Sequence, residues 1–298
     1  MWIYDTVFDR FTDIIKWRMT YECNYSCPHC TQTVNHCAQR HDAGCDLERT
    51  AAEINSFLRD TPTQILLIGG EPSLLDLHKI LEAFTKDVTF HLTTNFSQPA
   101  EWYNSLFRKY PKFEICCSFH DQITDWASFS EKFRALEISG KRIEFCVTNG
   151  NHDLIASCAA ECRTEGIDYK VDYDIEGGAE YKDYEKIPSS QFTRLRTSEG
   201  DFVTKGEFVK QFCKIREYDR KGSARAKLLP FKGLPCSVGQ HSLYIIGNKI
   251  TTCNGMGKTT ADFKWNEEPN VCKYAYCGDL SCISLCIGAE AQKILAAR

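Results

Sequence analysis

Six short β-like runs, at 15–21, 64–68, 88–94, 113–119, 142–148 and 168–175, alternate with amphipathic stretches over the first 175 residues. Helical spacing marks the stretches 47–59, 74–85, 127–138 and 154–164. Strands that alternate with helices predict a parallel sheet built from right-handed crossovers. Six units fall short of the eight in a closed barrel. The strands themselves alternate. Phe113, Ile115, Cys117 and Phe119 share one face, with Glu114, Cys116, Ser118 and His120 on the other. Ile143, Phe145 and Val147 oppose Glu144, Cys146 and Thr148. Tyr169, Val171, Tyr173 and Ile175 oppose Lys170, Asp172 and Asp174. Strands covered by helices on both faces read as nearly continuous apolar runs, and a packed interior does not tolerate so many polar groups without partners. The expected fold is therefore α/β, a partial (β/α)6 barrel with a polar lumen that holds ligands.

Residues 182–232 change character, with little strand signal and an excess of Lys and Arg. Gly and Pro cluster at 230–235 and mark a boundary. The expected organisation is a barrel at 1–180, a connecting segment at 181–235 and a small cysteine-rich domain at 236–298. A composition of 43% hydrophobic and 26% charged residues is that of an ordinary soluble domain. The net charge of −4 gives no general attraction to nucleic acid. No basic start followed by an apolar run marks a signal peptide, and no apolar run reaches the roughly 20 residues that span a bilayer. A cytoplasmic protein without a membrane or nucleic-acid partner is expected.

Cysteine is the outlier, with 17 in the chain. In a reducing compartment such a count points to metal or redox chemistry rather than disulfides. Cys23, Cys27 and Cys30 follow the first strand with gaps of three and two residues, which lets three thiolates converge from one loop. Iron–sulfur clusters are normally held by four thiolates, so three would leave one iron open to a small molecule. The same spacing suits a zinc site that takes a fourth ligand from His36, Cys37, His41 or Cys45. A second group comprises Cys236, Cys253, Cys272, Cys277, Cys282 and Cys286. Cys158 and Cys162, one helical turn apart beside apolar neighbours, read as helix packing.

The cysteine loop after the first strand, together with Gly69, Gly70, Glu71 and Pro72 after the second, resembles the radical S-adenosylmethionine superfamily. The resemblance spans residues 15 to about 175. It implies that Cys23, Cys27 and Cys30 hold a [4Fe–4S] cluster whose open iron binds S-adenosylmethionine. It implies that the Gly69–Pro72 turn contacts that cofactor, its glycines allowing close backbone approach to the ligand. His29 stands where the family usually has Phe or Tyr and would supply a ring beside adenine. Thr93, Thr94 and Asn95 end the third strand where the family often has a polar triplet facing the cofactor, and Ser118 occupies a further polar contact position. Cys236, the 242–247 hairpin with its Gly247–Asn248 turn, and Cys253 resemble the opening of the SPASM and twitch auxiliary-cluster domains. The gaps of four, four and three between Cys272, Cys277, Cys282 and Cys286 depart from the SPASM pattern. One auxiliary [4Fe–4S] cluster is expected, on Cys236, Cys253, Cys272 and Cys277, with Cys282 and Cys286 as substitutes or partial ligands of a second. A zinc staple of the small domain is the alternative.

The resemblance implies reductive cleavage of S-adenosylmethionine to a 5′-deoxyadenosyl radical that abstracts a substrate hydrogen. A flavodoxin- or ferredoxin-type donor would supply the electron, and an auxiliary cluster would give the net reaction an oxidative direction. His120, Asp174 and Glu144 face the lumen and are the catalytic candidates, since barrel enzymes place their chemistry at the C-terminal strand ends. A peptide maturase and a small-molecule dehydrogenase both fit. A nucleic-acid-modifying radical enzyme and a non-enzymatic zinc module are the other classes.

Overall fold

The computed structural model describes residues 12–27, 30, 45–148, 150–173, 194–196, 202–204, 235–236, 239–250, 258–268 and 270–271. The predicted strands form in order: β1 (Asp13–Thr20), β2 (Thr63–Gly69), β3 (Val88–Thr94), β4 (Phe113–Phe119), β5 (Lys141–Val147) and β6 (Tyr169–Tyr173). Each pairs in parallel with its sequence neighbour. Between them lie α1 (Leu47–Phe57), α2 (Leu77–Leu81), α3 (Ala100–Lys109), α4 (Trp126–Arg134) and α5 (His152–Glu165). The sequence reading did not mark α3, although Tyr103, Leu106 and Phe107 give it a buried face.

Chemistry local to each helix fixes its ends. Asp46, Asp76 and Asp125 precede α1, α2 and α4, and each carboxylate accepts a backbone N–H of the first turn, which satisfies a donor the helix cannot. Gly166 closes α5 at a φ of 69°, in the left-handed region that favours glycine.

The faces separate as the alternation predicts. Ile15, Trp17, Ile65, Leu67, Phe90, Leu92, Phe113, Ile115, Ile143 and Phe145 join one apolar core with the helices. Cys158 and Cys162 of α5 belong to that core and are buried. Desolvation pushes both thiols up to about 12. The opposite face holds Lys16, Arg18, His91, Glu114, Ser118 and Glu144.

Among the described residues the sheet has eight strands rather than six. A hairpin, β10 (Ser242–Ile246) and β11 (Lys249–Ile250), extends it beyond β1 in the order β11-β10-β1-β2-β3-β4-β5-β6. β10 runs parallel to β1, so this hairpin of the cysteine-rich segment is also part of the barrel wall. Gly247 makes its turn at a φ of 55° and donates its N–H to the Arg18 carbonyl at 2.9 Å. The following segment covers α1. Phe263 and Trp265 meet Phe57 edge-on at 4.9 and 6.1 Å, and the Trp265 indole donates to the Phe57 carbonyl. At the other end of β1, buried Asp13 accepts hydrogen bonds from Arg59 Nε at 3.0 Å and Thr61 Oγ1 at 2.8 Å, beside His241 Nδ1 at 3.2 Å. A buried carboxylate needs such partners. Short pairs complete the described strands: β7 (Arg194–Arg196) with β8 (Phe202–Thr204), and β9 (Pro235–Cys236) with β12 (Asn270–Val271).

Candidate cluster and cofactor site

The C-terminal ends of β1 to β4 bring the cysteine loop, the glycine turn, the polar triplet and His120 together. The first two are stitched by backbone. Gly70 N–H donates to the Thr20 carbonyl at 2.8 Å, and Glu71 N–H donates to the Glu22 carbonyl at 2.7 Å. A Cβ on Gly70 would lie 2.0 Å from the Glu22 carbonyl oxygen, and one on Gly69 would lie 2.6 Å from that of Thr20. The close approach that demands glycine is therefore to the chain's own cysteine loop. The sequence analysis expects a ligand to approach this turn, and it does not foresee the approach of the chain's own loop. It missed this because pairing between β1 and the turn after β2 is visible only in the folded sheet.

Glu71 is fully buried. One carboxylate oxygen accepts from Ser73 N–H at 2.9 Å and from the Thr94 hydroxyl at 2.7 Å. The other accepts from Asn95 N–H at 2.5 Å. Its side chain thus ties the turn after β2 to the end of β3, while buried Pro72 starts a short 3-10 turn. Thr94 Oγ1 also accepts the Phe96 N–H at 3.0 Å. Phe96 adopts a φ of 60°, an uncommon conformation for a bulky side chain. Its ring is held against Tyr103 and Phe129 at 5.0 and 5.5 Å. Such strain persists where the surroundings over-determine it, and here it directly follows Asn95.

Asn95 reaches the cysteine loop. Its Oδ1 accepts the Ser97 N–H at 3.1 Å, which leaves Nδ2 to donate to Asn24 Oδ1 at 2.8 Å and to Cys23 Sγ at 3.6 Å. From the end of β4, His120 Nδ1 lies 3.2 Å from Cys27 Sγ. Tyr25 meets the His120 ring edge-on at 5.5 Å.

Cys23 is exposed, Cys27 buried and Cys30 between the two. The Cys30 N–H donates to the Cys27 carbonyl at 3.0 Å, and the Tyr25 N–H lies 3.3 Å from Cys23 Sγ. Burial, helped by the nearby thiols of Cys30 and Cys23, pushes the Cys27 thiol up to about 11. A metal centre reverses that cost, since a coordinated thiol is deprotonated outright. Among the described residues no three His, Cys, Asp or Glu side chains are gathered closely enough for a single ion.

In the lumen, Glu144 Oε2 accepts from Ser118 Oγ at 3.5 Å, with Cys116 Sγ at 3.7 Å. Deeper, Glu114 accepts from Gln64 Nε2 at 2.9 Å, with His91 Nδ1 at 3.4 Å. The sequence reading missed Arg18, whose guanidinium lies 5.2 Å from the Tyr21 ring and 5.8 Å from Tyr244. Its Nε is buried without a hydrogen-bond partner. Alternation of Lys16, Arg18 and Thr20 was the available signal. His29, Asp174, Cys253, Cys272, Cys277, Cys282 and Cys286 lie outside the described residues, and Cys236 is placed by its backbone alone, opposite Asn270.

A parallel partial barrel with a three-cysteine loop after its first strand and a glycine turn after its second is the architecture that the sequence resemblance predicts. The chain shares its fold with proteins whose structures hold bound AdoMet. Native anSMEcpe with bound AdoMet is similar at a TM-score of 0.53 and 16% identity, over 92% of this chain and 88% of that one. Native anSMEcpe with bound AdoMet and the Kp18Cys peptide is similar at 0.51 and 16% identity, over 84% and 78%. Streptococcus suis SuiB bound to its precursor peptide SuiA is similar at 0.50 and 14% identity, over 94% and 71%. At such identities the likeness is one of fold. No protein-family model and no curated protein matches the sequence. Among the described residues no helix is long and apolar enough to cross a membrane.

Proposed function

We propose that the protein is a radical S-adenosylmethionine enzyme that modifies a peptide, with a net oxidation or an oxidative bond formation. The observation that carries this is the stitching of the Cys23, Cys27 and Cys30 loop to the Gly69–Pro72 turn at the mouth of a polar lumen. The three thiolates would hold a [4Fe–4S] cluster with an open iron. When bound, that cluster and S-adenosylmethionine supply a carbon radical able to take hydrogen from an unactivated carbon. The chain's own residues do the rest. The turn after β2, Asn95 and Ser118 line the place where the cofactor would lie. Glu144 and His120 face the space beside it, and the barrel wall excludes competing hydrogen donors.

One observation favours a peptide over a small molecule. The fold is shared with anSMEcpe and SuiB, both seen with peptides bound. The second cysteine group would supply an auxiliary cluster to accept the substrate radical's electron, and β9 pairs Cys236 with Asn270, two positions before Cys272. A flavodoxin- or ferredoxin-type donor in the cytoplasm would deliver the first electron. A small-molecule dehydrogenase remains the second reading, favoured by the polar lumen alone.

Anaerobic reconstitution with iron and sulfide, followed by S-adenosylmethionine and dithionite, tests the reading. Wild type should form 5′-deoxyadenosine, and the variant Cys23→Ala, Cys27→Ala, Cys30→Ala should form none. Continued formation by the triple variant would remove the assignment. Removing Cys236 and Cys253 should lower iron content yet spare that cleavage.

A further inference from the structure

Resting on that reading, we propose that Asn95 and His120 are positioning residues. Each hydrogen-bonds a different cysteine sulfur of the cluster, and together they set its reduction potential. A sulfur that ligates iron has lost its proton and is only an acceptor, so a close side-chain N–H must donate to it. His120 Nδ1, 3.2 Å from Cys27 Sγ, then carries the proton. Asn95 Nδ2, 3.6 Å from Cys23 Sγ, carries one regardless of conditions.

Both donors are held from behind. The His120 carbonyl accepts N–H groups from Ile123 at 2.9 Å and Thr124 at 3.1 Å, which fixes the turn after β4. The Tyr25 ring bounds the imidazole at an interplanar angle of 87°. Asn95 is oriented by the Ser97 N–H on its Oδ1 and by Asn24 on its Nδ2. Its backbone N–H is clamped by buried Glu71. The donors come from the ends of β3 and β4, whereas the sulfurs come from the loop after β1. The sheet therefore imposes on the loop a pattern of charge stabilisation that the loop does not make itself. Hydrogen bonds to cluster sulfurs are among the levers that set cluster potentials. One electron added to the cluster adds negative charge to its sulfurs, so N–H donors favour the reduced form and raise the potential.

The test is the cluster's midpoint potential, followed by electron paramagnetic resonance in the anaerobically reconstituted protein. His120→Phe keeps a ring against Tyr25 and removes the donor. It should shift the reduction equilibrium about tenfold towards the oxidised form, a drop of about 59 mV for one electron. His120→Asn, which puts an amide N–H near the position of Nδ1, should restore most of the shift. Asn95→Ala should lower the potential in the same direction, and it gives the comparison if the Phe variant assembles too little cluster. Wild-type iron content with an unchanged potential in His120→Phe and Asn95→Ala would overturn the inference and leave the proposed function standing. Absence of any cluster from wild type would overturn both.

Discussion

The indole N–H of Trp17 donates to the Gly247 carbonyl at 2.9 Å, across 230 positions of sequence. Trp17 is fully buried in β1, and Gly247 turns the hairpin that extends the sheet beyond it. Replacing Trp17 by Phe keeps most of the apolar volume but leaves a buried carbonyl without its donor. Such a loss costs about 1–3 kcal/mol. In a chain of this size that lowers the thermal midpoint by roughly 2–4 °C per kcal/mol. Calorimetry should show the drop. Limited proteolysis should show faster cleavage after β10, and an unchanged cleavage pattern would mean that the bond does not hold the hairpin.

Gly70→Ala should damage the cluster site without unfolding the barrel. The added methyl meets backbone atoms of Glu22 and Tyr21 at 2.0 to 2.6 Å, and backbone cannot swing aside as a flexible side chain can. The cysteine loop must move instead. Iron bound after reconstitution should fall severalfold while far-UV circular dichroism stays as in wild type. Full iron binding by this variant would refute the stitching as a requirement.

Glu71→Gln tests the buried carboxylate. A neutral amide can accept with only one end, so at least one of the Ser73, Thr94 and Asn95 donors must face another donor. Leaving it unsatisfied costs about 1–3 kcal/mol. The midpoint should fall by several degrees, and iron binding should weaken because Asn95 loses its clamp. A midpoint equal to wild type would show that the turn does not depend on the charge.

Stripping the iron should leave the barrel folded. Cys27 is buried, but none of Cys23, Cys27 and Cys30 joins the main apolar cluster of the barrel, unlike the ligands of small metal domains that unfold without their ion. Chelation under reducing conditions should bleach the visible absorption of the reconstituted protein and leave its helical signal intact. Collapse of that signal would place the cluster within the folding core.

Much of the wall was legible because alternation is a local property. Phe113, Glu114, Ile115 and Ser118 announce their faces one residue at a time, and strand ends fell within about two residues of those expected. The role of Gly70 was not legible, because its neighbour is the Glu22 carbonyl and no pattern within the glycine turn encodes it. Asn95 and His120 were readable as polar ends of strands. That they reach Cys23 and Cys27 depends on how far the loop folds back across the sheet. The parallel pairing of β10 with β1 joins residues from opposite ends of the sequence. A five-residue apolar run such as Ser242–Ile246 fits a hairpin in either domain, so only the sheet decides.

That pairing sets a timetable for the protein's birth. β1 emerges from the ribosome first, but the strand that covers its outer edge is made more than 200 residues later. At about 5–20 residues per second the edge stays bare for roughly 10–50 s. The loop with the three thiols hangs from the end of that strand throughout. Until β10 is made, the nascent chain therefore carries an uncovered strand edge and three free thiols side by side.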